Sequence, residues 1–477
     1  SARISGKEKP ARDGNPCGPG ATFETCEEIM EHQTGYGKFV SRKLAMVSRQ
    51  GVAGDLSGYS LKPHQNDLTA WALRRGCAAI FADTGLGKSR MQIAWADVVR
   101  KQSSASRIII LAPLAVAGQT VEEAEKIGVS VNYCRDDSDV RDGINITNYD
   151  RIHKFDCGQF SGVVLDESSI IKHHAAKTLQ TLLDAFRATP FKLCATATPA
   201  PNDWTELGNH AEFLGVRSRA EMLAEFFVHD GGDTQTWRLK GHARHLFWRW
   251  VASWGAMVRS PADLGHDASE YELPPLHVHQ HTVELDHNDA HGLFAMEAQT
   301  LSERRDARRA SLVERVRECA RIVNADVQPW VVWCDLNAEG DALTAAIDGA
   351  VQISGADDTD TKERRLHDFA SGKIRVLVSK PSICGFGLNW QHASRMAFVG
   401  VTDSFEAYYQ AVRREYRFGQ AKPVHVHVFA SNLEGAVVAN LKRKERDAQA
   451  MAESMAAETI QAVKSEIFGF TKDTNIY

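Results

Sequence analysis

The chain has 477 residues, of which 43% are hydrophobic and 25% are charged, and its formal net charge is −5. This length predicts two or three domains rather than one hydrophobic core, and the slightly acidic balance excludes a globally basic surface, so a nucleic-acid partner would need local basic patches. The nine cysteines form no C-x-x-C pair and no apolar run reaches the length of a membrane span, which argues against a disulfide framework, a zinc site and a membrane segment, and predicts a soluble, intracellular protein of the cytoplasm.

Residues 1–54 are predicted to form an N-terminal extension whose first 20 residues, rich in glycine, proline and charge, are a loose tail. The stretch from Phe23 to Ser48 could form one or two helices, and the N-terminal extension could bind a protein partner, for which Cys17–Ser48 is the candidate region. The run Leu61-Lys-Pro-His-Gln65 then precedes a helix with an apolar face. A glutamine at this distance before a phosphate-binding loop can bond the adenine edge and select ATP; alternatively, Gln65 is only a polar helix start.

The run Ala82-Asp-Thr-Gly-Leu-Gly-Lys-Ser89 has the pattern of a phosphate-binding P-loop. An apolar strand precedes it, and residues 91–99 have the apolar spacing of a helix, which is the context that such a loop requires. Glycines let successive N–H groups point at a polyphosphate, the lysine would reach the β- and γ-phosphates, and the serine would ligate Mg²⁺. The candidate ATP-binding residues of the loop are Thr84, Gly85, Gly87, Lys88 and Ser89.

Apolar strand candidates near residues 78, 108, 144, 162 and 192 alternate with helical segments. They predict an α/β fold whose first RecA-like lobe, residues 55–215, has a doubly wound parallel sheet. One strand ends in a Walker B arrangement, in which Asp166 would hold the Mg²⁺ shell and Glu167 would orient and deprotonate the attacking water. A later strand ends with Thr196 and Thr198, whose hydroxyls could link the γ-phosphate region to nucleic acid across the cleft.

Residues 216–326 break this rhythm and are predicted to be a helical linking region. The stretches 206–227 and 245–258 have helical spacing, and Phe247, Trp250 and Trp254 form an aromatic stripe that is more typical of a core than of a base-stacking platform. A strongly basic helix is predicted for Leu301–Val323. It is either a solvated face or part of a phosphate-backbone track, for which the candidates are Arg304, Arg305 and Arg308.

From residue 330 the alternation of strands and helices returns, with strand candidates at 331–333, 351–353, 374–379, 396–399 and 424–429. A second RecA-like lobe, residues 327–430, and a C-terminal helical tail, residues 431–477, are predicted. Gly387 lies in a glycine-containing turn and is a further candidate for nucleotide binding. Gln410, Arg414 and Arg417 recur at helical spacing. Arginines presented from a second lobe toward an ATP are the arrangement of an arginine finger, which stabilises charge on the transferred phosphoryl group.

The order of these motifs resembles that of the superfamily 2 helicase-type motors, and among them the Swi/Snf-type double-stranded-DNA translocases. LKPHQ resembles the family's Q-like motif, ADTGLGKS its DETGLGKT, LDESSIIK its DEAHRIKN and ATATPAPND its TGTPIQN. In the second lobe, VVWCDL, SICGFGLNWQHASRMAFV and YYQAVRREYRFGQ are similar to motifs IV, V and VI. The resemblance extends from Leu61 to Phe429, and its most specific part is the R-x-x-R of motif VI with the terminal FGQ.

The chain also departs from the family pattern. Ser168 and Ser169 stand where the family has Ala-His, so coupling between ATP and nucleic acid through that histidine is absent or rerouted. The family's basic LRR-x-K stretch is reduced to Arg259, which is a further nucleic-acid candidate. The large insertions of chromatin remodellers are absent, so we expect a minimal motor of a size found in bacterial and phage genomes.

The resemblance implies a monomeric ATPase that binds ATP and Mg²⁺ between two lobes and tracks duplex DNA without necessarily separating the strands. One alternative is a strand-separating DNA or RNA helicase. Another is a nucleotide-gated nucleic-acid-binding module with little turnover. Lys88, Glu167 and Arg414 argue against the module, because a protein that only binds needs neither a base nor a finger.

Overall fold

The computed structural model describes residues 51–102, 107–113, 116–172, 177–201, 203–230, 233–284, 308–384, 389–400, 405–432 and 435–468. The predictions for the chain before residue 51, and those for Arg304, Arg305 and Gly387, lie outside the described residues.

The described chain alternates strands with helices in both halves. The strands are β1 Cys77–Ala82, β2 Arg107–Ala112, β3 Val131–Tyr133, β4 Gly143–Asn148, β5 Gly162–Asp166, β6 Phe191–Ala195, β7 Phe227–Asp230, β8 Asp233–Leu239, β9 Gly255–Val258, β10 Leu276–Val283, β11 Trp330–Trp333, β12 Ala350–Ile353, β13 Val376–Ser379, β14 Arg395–Phe398 and β15 Val424–Ser431. The α-helices are α1 Pro63–Arg75, α2 Lys88–Gln102, α3 Ala117–Lys126, α4 Lys177–Ala185, α5 Leu207–Phe213, α6 Arg219–Phe226, α7 Arg244–Ala252, α8 Leu312–Asn324, α9 Asn337–Ala346, α10 Thr359–Ala370, α11 Pro381–Cys384, α12 Phe405–Val412 and α13 Gly435–Phe468.

Two parallel sheets confirm the predicted α/β fold with two lobes. Over the described ranges, the first sheet has the strand order β3–β4–β2–β5–β6–β1–β9. Its apolar strands are buried along nearly their whole length, as expected of a parallel sheet that is covered on both faces. Because β5, β6 and β1 are neighbours, the segments that follow them start at the same edge of the sheet. Those segments are the Walker B turn, the Thr196 turn and the P-loop.

The helix predicted over residues 245–258 is wrong in its second half. Helix α7 ends at Ala252, and Gly255–Val258 forms β9, which extends the first sheet by pairing in parallel with β1. Local spacing cannot reveal this strand, because its partner lies about 175 residues earlier in the chain. The aromatic stripe is core, as predicted, because Phe247, Trp250 and Trp254 are all buried.

The second sheet has the order β10–β15–β14–β11–β13–β12 among the described strands, and all its pairs are parallel. Its strand β10 is not among the five predicted ones, since its sequence, LHVHQHTV, is rich in histidine rather than uniformly apolar. The helical stretch predicted over residues 206–227 is divided into α5 and α6, because Gly215 adopts a left-handed conformation between them, with φ of 72°.

The C-terminal helix α13 packs on the first lobe. Val463 and Ile467 belong to the first lobe's core, and the guanidinium of Arg74 donates to the carbonyl of Ile467 at 2.8 Å. The prediction that the tail is helical and packs back on the lobes is therefore confirmed for the described residues. Neither α13 nor any other described helix combines the length and the apolar character that crossing a membrane requires.

Histidines of β10 and β15 form a ladder on one face of the second sheet. Nε2 of His279 lies 2.9 Å from Nδ1 of His425, and the same distance separates Nε2 of His281 from Nδ1 of His427. The rings within these pairs are stacked. Burial, reinforced by the other ladder histidines and Arg395, lowers the pKa of His427 to about 4.

We predict that the ladder makes the fold less stable in acid. An unfolded histidine takes up its proton near pH 6.5, whereas folded His427 takes it up near 4. The unfolded state therefore binds more protons over this window, and the free energy of unfolding falls as the pH is lowered through it. Thermal denaturation from about pH 7.5 to about pH 5 should show a smaller drop in Tm for His427→Thr than for the wild type. The matched control is His153→Thr, at an exposed histidine of the first lobe. If the drop in Tm became smaller by the same amount in His153→Thr as in His427→Thr, the prediction would be contradicted.

Candidate functional site at the interface of the two lobes

The P-loop connects the end of β1 to the start of α2 through a turn that needs glycine. Gly85 and Gly87 have φ values of 93° and 83°, which side-chain-bearing residues rarely adopt. Space is also limiting: a Cβ at Gly85 would lie 2.6 Å from Cβ of Phe418, and one at Gly87 would lie 2.2 Å from Nε2 of Gln65. The two glycines therefore allow both the turn and the close approach of neighbouring elements.

Lys88, the first residue of α2, is held inside the loop. Its ammonium donates to the carbonyl of Ala82 at 2.9 Å and to that of Asp83 at 3.3 Å. Burial lowers the pKa of Lys88, while the nearby carboxylates, first that of Glu167, oppose this shift. The half-buried Thr84 and Ser89 flank this position. A cation fixed here can exchange the loop carbonyls for phosphate oxygens when a polyphosphate binds.

The Walker B carboxylates stand at the end of β5. Oδ1 of Asp166 accepts a hydrogen bond from Nε2 of Gln92 at 2.7 Å, and the backbone carbonyl of Asp166 accepts one from the hydroxyl of Tyr149 at 2.6 Å. Burial, together with the charge of the adjacent Glu167, raises the pKa of Asp166 to about 6. Glu167 itself has φ of 50° and ψ of 53°, a left-handed conformation that is unusual for a residue with a side chain.

The donor set at this edge suits Mg²⁺. The Ser89 hydroxyl and the Asp166 carboxylate are hard oxygen donors of the kind that Mg²⁺ prefers. Burial first, and then the charge of Glu167, raises the pKa of Asp166, and a divalent cation bound here would favour its charged form. Among the described residues, no cluster of three or more histidine, cysteine or acidic side chains could hold a metal by itself.

The turn after β6 contacts the carboxylate of Glu167. The hydroxyl of Thr196 donates to Oε2 of Glu167 at 3.4 Å and accepts from the backbone N–H of Thr198 at 3.1 Å. Thr196 is buried and Thr198 is half-buried. The hydroxyl oxygen of Thr198 is nevertheless enclosed by the protein, so neither threonine hydroxyl is exposed for contact with nucleic acid.

Gln65 connects the start of α1 to the P-loop. Its side-chain oxygen accepts from the backbone N–H of Lys62 at 3.0 Å, and its side-chain amide donates to the carbonyl of Leu86 at 3.1 Å. The ring of His64 lies 3.2 Å from the same carbonyl. The side-chain oxygen and the side-chain amide of Gln65 are thus both hydrogen-bonded within the protein. This is the arrangement of a polar residue at a helix start that also supports the P-loop. Adenine recognition by Gln65 stays a prediction.

The second lobe brings its arginines to this edge, although not on one helix face. Helix α12 ends at Val412, so Arg414 and Arg417 lie in the turn that follows it, and the predicted helical continuation is wrong. Side-chain bonds replace the missing helix: the guanidinium of Arg414 donates to the backbone carbonyl of Gln410 at 3.2 Å and to its side-chain oxygen at 3.3 Å.

Both arginines are in electrostatic contact with the Walker B carboxylates. Burial lowers the pKa of Arg414 to about 9; the charge of Arg417 lowers it further, and those of Glu167 and Asp166 oppose the shift. Burial likewise lowers the pKa of Arg417 to about 10, against the opposing charge of Glu167. The structure therefore brings charged residues of both lobes into one cluster, in which Asp166 and Arg414 are buried and Lys88, Glu167 and Arg417 are half-buried.

Three second-lobe residues that the sequence analysis did not single out contact the P-loop. The hydroxyl of Tyr409 donates to Oδ1 of Asp83 at 3.2 Å, and the guanidinium of Arg413 lies 3.8 Å from its Oδ2. Phe418 packs on Gly85. The sequence motif that contains the candidate finger residues Arg414 and Arg417 also contains Arg413 and Phe418, so it could have drawn attention to them. Nothing in the sequence, however, indicates that they contact the P-loop. We refer to Asp83, Tyr409 and Arg413 as the interlobe contact.

The nucleic-acid candidates differ in their placement. Arg308 is buried and its guanidinium bonds to Asp335 at 2.7 Å, which favours the structural interpretation of this residue over a phosphate contact. In the same helical region, Arg315 forms a fully buried ion pair with Glu339. Arg259 is exposed, and its guanidinium lies 3.7 Å from the carboxylate of Glu453 in α13.

Comparison with known families decides the classification. The model of the SNF2-related domain matches residues 64–328, more than half of the chain. The chain belongs to the SNF2-related family. The model of the helicase conserved C-terminal domain matches residues 336–419, within the second half of this SNF2-related protein. Membership classes it as an ATP-hydrolysing enzyme of the helicase and translocase type in superfamily 2, whose motors depend on nucleic acid, and confirms the resemblance drawn from its motifs.

One relative among curated proteins is the bifunctional helicase and thymine dioxygenase JBP2 of Leishmania braziliensis. It is 32% identical to this SNF2-related chain over 97 residues. The match covers 20% of the chain and 9% of the relative, so the chain spans only a small part of that protein's length.

We predict that the interlobe contact supports turnover. Arg413→Gln and Asp83→Asn should each lower kcat for ATP about tenfold, because each weakens the same contact between the P-loop and the second lobe. The double variant should be no slower than the slower single variant, since interacting residues are not additive. Arg364→Gln, at an exposed arginine of α10, is the matched control. Independent, multiplicative losses in the double variant would show that the two side chains do not act together.

Proposed function

We propose that this chain is an ATP-driven motor that translocates on double-stranded DNA. The observation that carries the proposal is the interlobe contact, in which Tyr409 and Arg413 of the second lobe meet Asp83 of the P-loop. Arg414 and Arg417 belong to the same segment of the second lobe, and their charges interact with Glu167 of the first lobe. A site divided between two lobes makes hydrolysis depend on their relative position. That dependence is what a motor requires.

The first lobe would bind the nucleotide and activate water. The P-loop N–H groups and Lys88 would hold the phosphates, and Ser89 and Asp166 would hold Mg²⁺, which neutralises phosphate charge when it is bound. Glu167 would orient the attacking water and accept its proton, since it is the carboxylate that Thr196 contacts from the neighbouring strand.

The second lobe would complete the site. Arg414 and Arg417 would stabilise negative charge on the transferred phosphoryl group, and Gln410 would hold Arg414 in place through its two hydrogen bonds. Separation of the lobes after hydrolysis would withdraw both guanidinium groups. Repeated closure and opening would then step the lobes along a nucleic acid that crosses both of them.

Nucleic acid would be bound chiefly through its phosphates, so binding should weaken with salt and depend little on sequence. Arg259, which is exposed, is the described candidate for such contacts, and Arg304 and Arg305 remain candidates from the sequence. Duplex DNA is proposed because the motif order resembles the Swi/Snf-type translocases. A strand-separating helicase is the second candidate, since the relative from Leishmania braziliensis is named a helicase.

We expect duplex DNA to stimulate ATP hydrolysis most strongly. Steady-state hydrolysis should be measured in parallel without nucleic acid, with single-stranded DNA, with duplex DNA and with RNA. Glu167→Gln is the blank, because it keeps the shape of the base but cannot accept a proton. Stronger stimulation by single strands or RNA would favour the helicase. If wild type and Glu167→Gln hydrolysed ATP equally slowly on every nucleic acid, the motor proposal would be wrong.

We also expect the fingers to act on turnover more than on binding. Arg414→Lys should lower kcat about 10³-fold, because a lysine cannot reproduce the planar, forked donor set of an arginine finger. Its affinity for a fluorescent ATP analogue should change by less than about threefold. Arg365→Lys, at an arginine of α10 that bonds a backbone carbonyl within the second lobe, is the control for the substitution itself. A parallel loss of affinity in Arg414→Lys would assign that residue to nucleotide binding instead.

A further inference from the structure

The backbone at Glu167 needs external support. Its left-handed conformation, with φ of 50°, is unfavourable for a residue with a side chain and persists only where the surroundings impose it. The residues after it form a short 3-10 helix, Ser168–Ile171, in which the N–H of Ile170 bonds back to the carbonyl of Glu167 at 3.2 Å. The orientation of the Glu167 carboxylate therefore depends on what holds this short helix.

Helix α5 holds it from one side. Nε2 of His210 lies 3.1 Å from Oγ of Ser168, the residue directly after Glu167. The side-chain amide of Asn209 donates to the carbonyls of Ile171 at 3.0 Å and Lys172 at 2.6 Å. All three side-chain bonds run from consecutive residues of α5 to the segment that follows the catalytic carboxylate. Ser168 and His210 are both fully buried, so water does not compete for their bond.

The same helix is also attached to the elements on either side of the site. The ring of His210 meets the ring of Phe81, in the strand that leads into the P-loop, edge to face at 5.3 Å between centroids. The ammonium of Lys192, in β6, donates to the carbonyl of Phe213 at 2.9 Å. That strand leads to Thr196, which contacts the carboxylate of Glu167. A displacement of α5 would therefore also displace Glu167, both through the bond between His210 and Ser168 and through β6 and Thr196.

We propose that His210 is a positioning residue for the general base: its bond to Ser168 holds the turn that aims Glu167 and transmits displacements of α5 to it. The imidazole is suited to a fixed bond, because burial lowers its pKa to about 4 and keeps it neutral at physiological pH. Helix α5 lies just before the linking region, so it connects the catalytic carboxylate to the part of the chain that joins the lobes. The transmission part of this inference rests on the proposed function.

The variants that test the proposal are small and have a neighbour as control. Ser168→Ala removes one buried hydroxyl, and Ser169→Ala removes the adjacent buried hydroxyl. His210→Leu removes the imidazole, and His210→Gln restores an amide nitrogen near the position of Nε2. For each variant, Tm, KM for ATP, basal kcat and kcat with saturating duplex DNA should be measured in the full chain.

We expect Ser168→Ala and His210→Leu to lower kcat about tenfold with KM and Tm nearly unchanged, and the double variant to be no slower than the singles. His210→Gln should recover most of the rate, and Ser169→Ala should match the wild type. If Ser168→Ala behaves like Ser169→Ala, if the losses multiply, or if kcat falls only in step with Tm, the proposal is overturned.

Failure of this proposal can be distinguished from failure of the proposed function. Basal turnover also requires Glu167, so the comparison of Ser168→Ala with Ser169→Ala can be made in basal rates alone. A DNA-stimulated rate that falls by a larger factor than the basal rate would show that the bond also serves transmission. Equal reductions in both rates would assign it to positioning only. Absence of stimulation in the wild type would reject the motor and leave the positioning test in place.

Discussion

Charges of both signs lie close together where the two lobes meet. The rest of the structure depends on each of these charges having a neighbour of the opposite sign. Lys88, Asp166 and Glu167 come from the first lobe, and Arg414 and Arg417 from the second. A charge removed from water without a partner is costly, and the shifted pKa values of four of these five groups record that cost. The first lobe contributes two carboxylates and one ammonium group, and the second lobe adds two guanidinium groups, whose charges interact with Glu167.

Residues that do no chemistry hold this cluster in shape. Gln92 and Tyr149 fix Asp166 through its side chain and its backbone. Gly85 admits Phe418 to the surface of the P-loop, so that the second lobe can approach the phosphate site closely. The Ser168–His210 bond supplies a contact to the turn that carries Glu167, in a chain that lacks the Ala-His of the family's Walker B motif. The rerouted coupling suggested by that departure therefore has a physical candidate.

Most of the fold could be predicted because its signals are local. The buried strands of the first sheet are apolar runs followed by turn residues, and the P-loop has a dense pattern over eight residues. The failures lie where the partner is distant. Strand β9 exists because β1 offers a free edge, and β10 because β15 pairs with its histidines. The helix before Arg414 ends at Val412, and the turn that follows it contacts the other lobe through Arg413 and Phe418.

The sequence by itself determined the chemistry that the chain can perform: a phosphate-binding loop, two adjacent carboxylates and a pair of arginines in a later motif, each recognisable because its residues are close together in the chain. Only the tertiary structure decided how they are used. Arg308 became part of a buried ion pair, Thr196 a partner of Glu167, and Asp83 a contact for Tyr409 and Arg413. The reason is that burial, hydrogen-bond geometry and charge pairing depend on which segments fold against one another, and the local sequence pattern around a residue does not specify its partner in another segment.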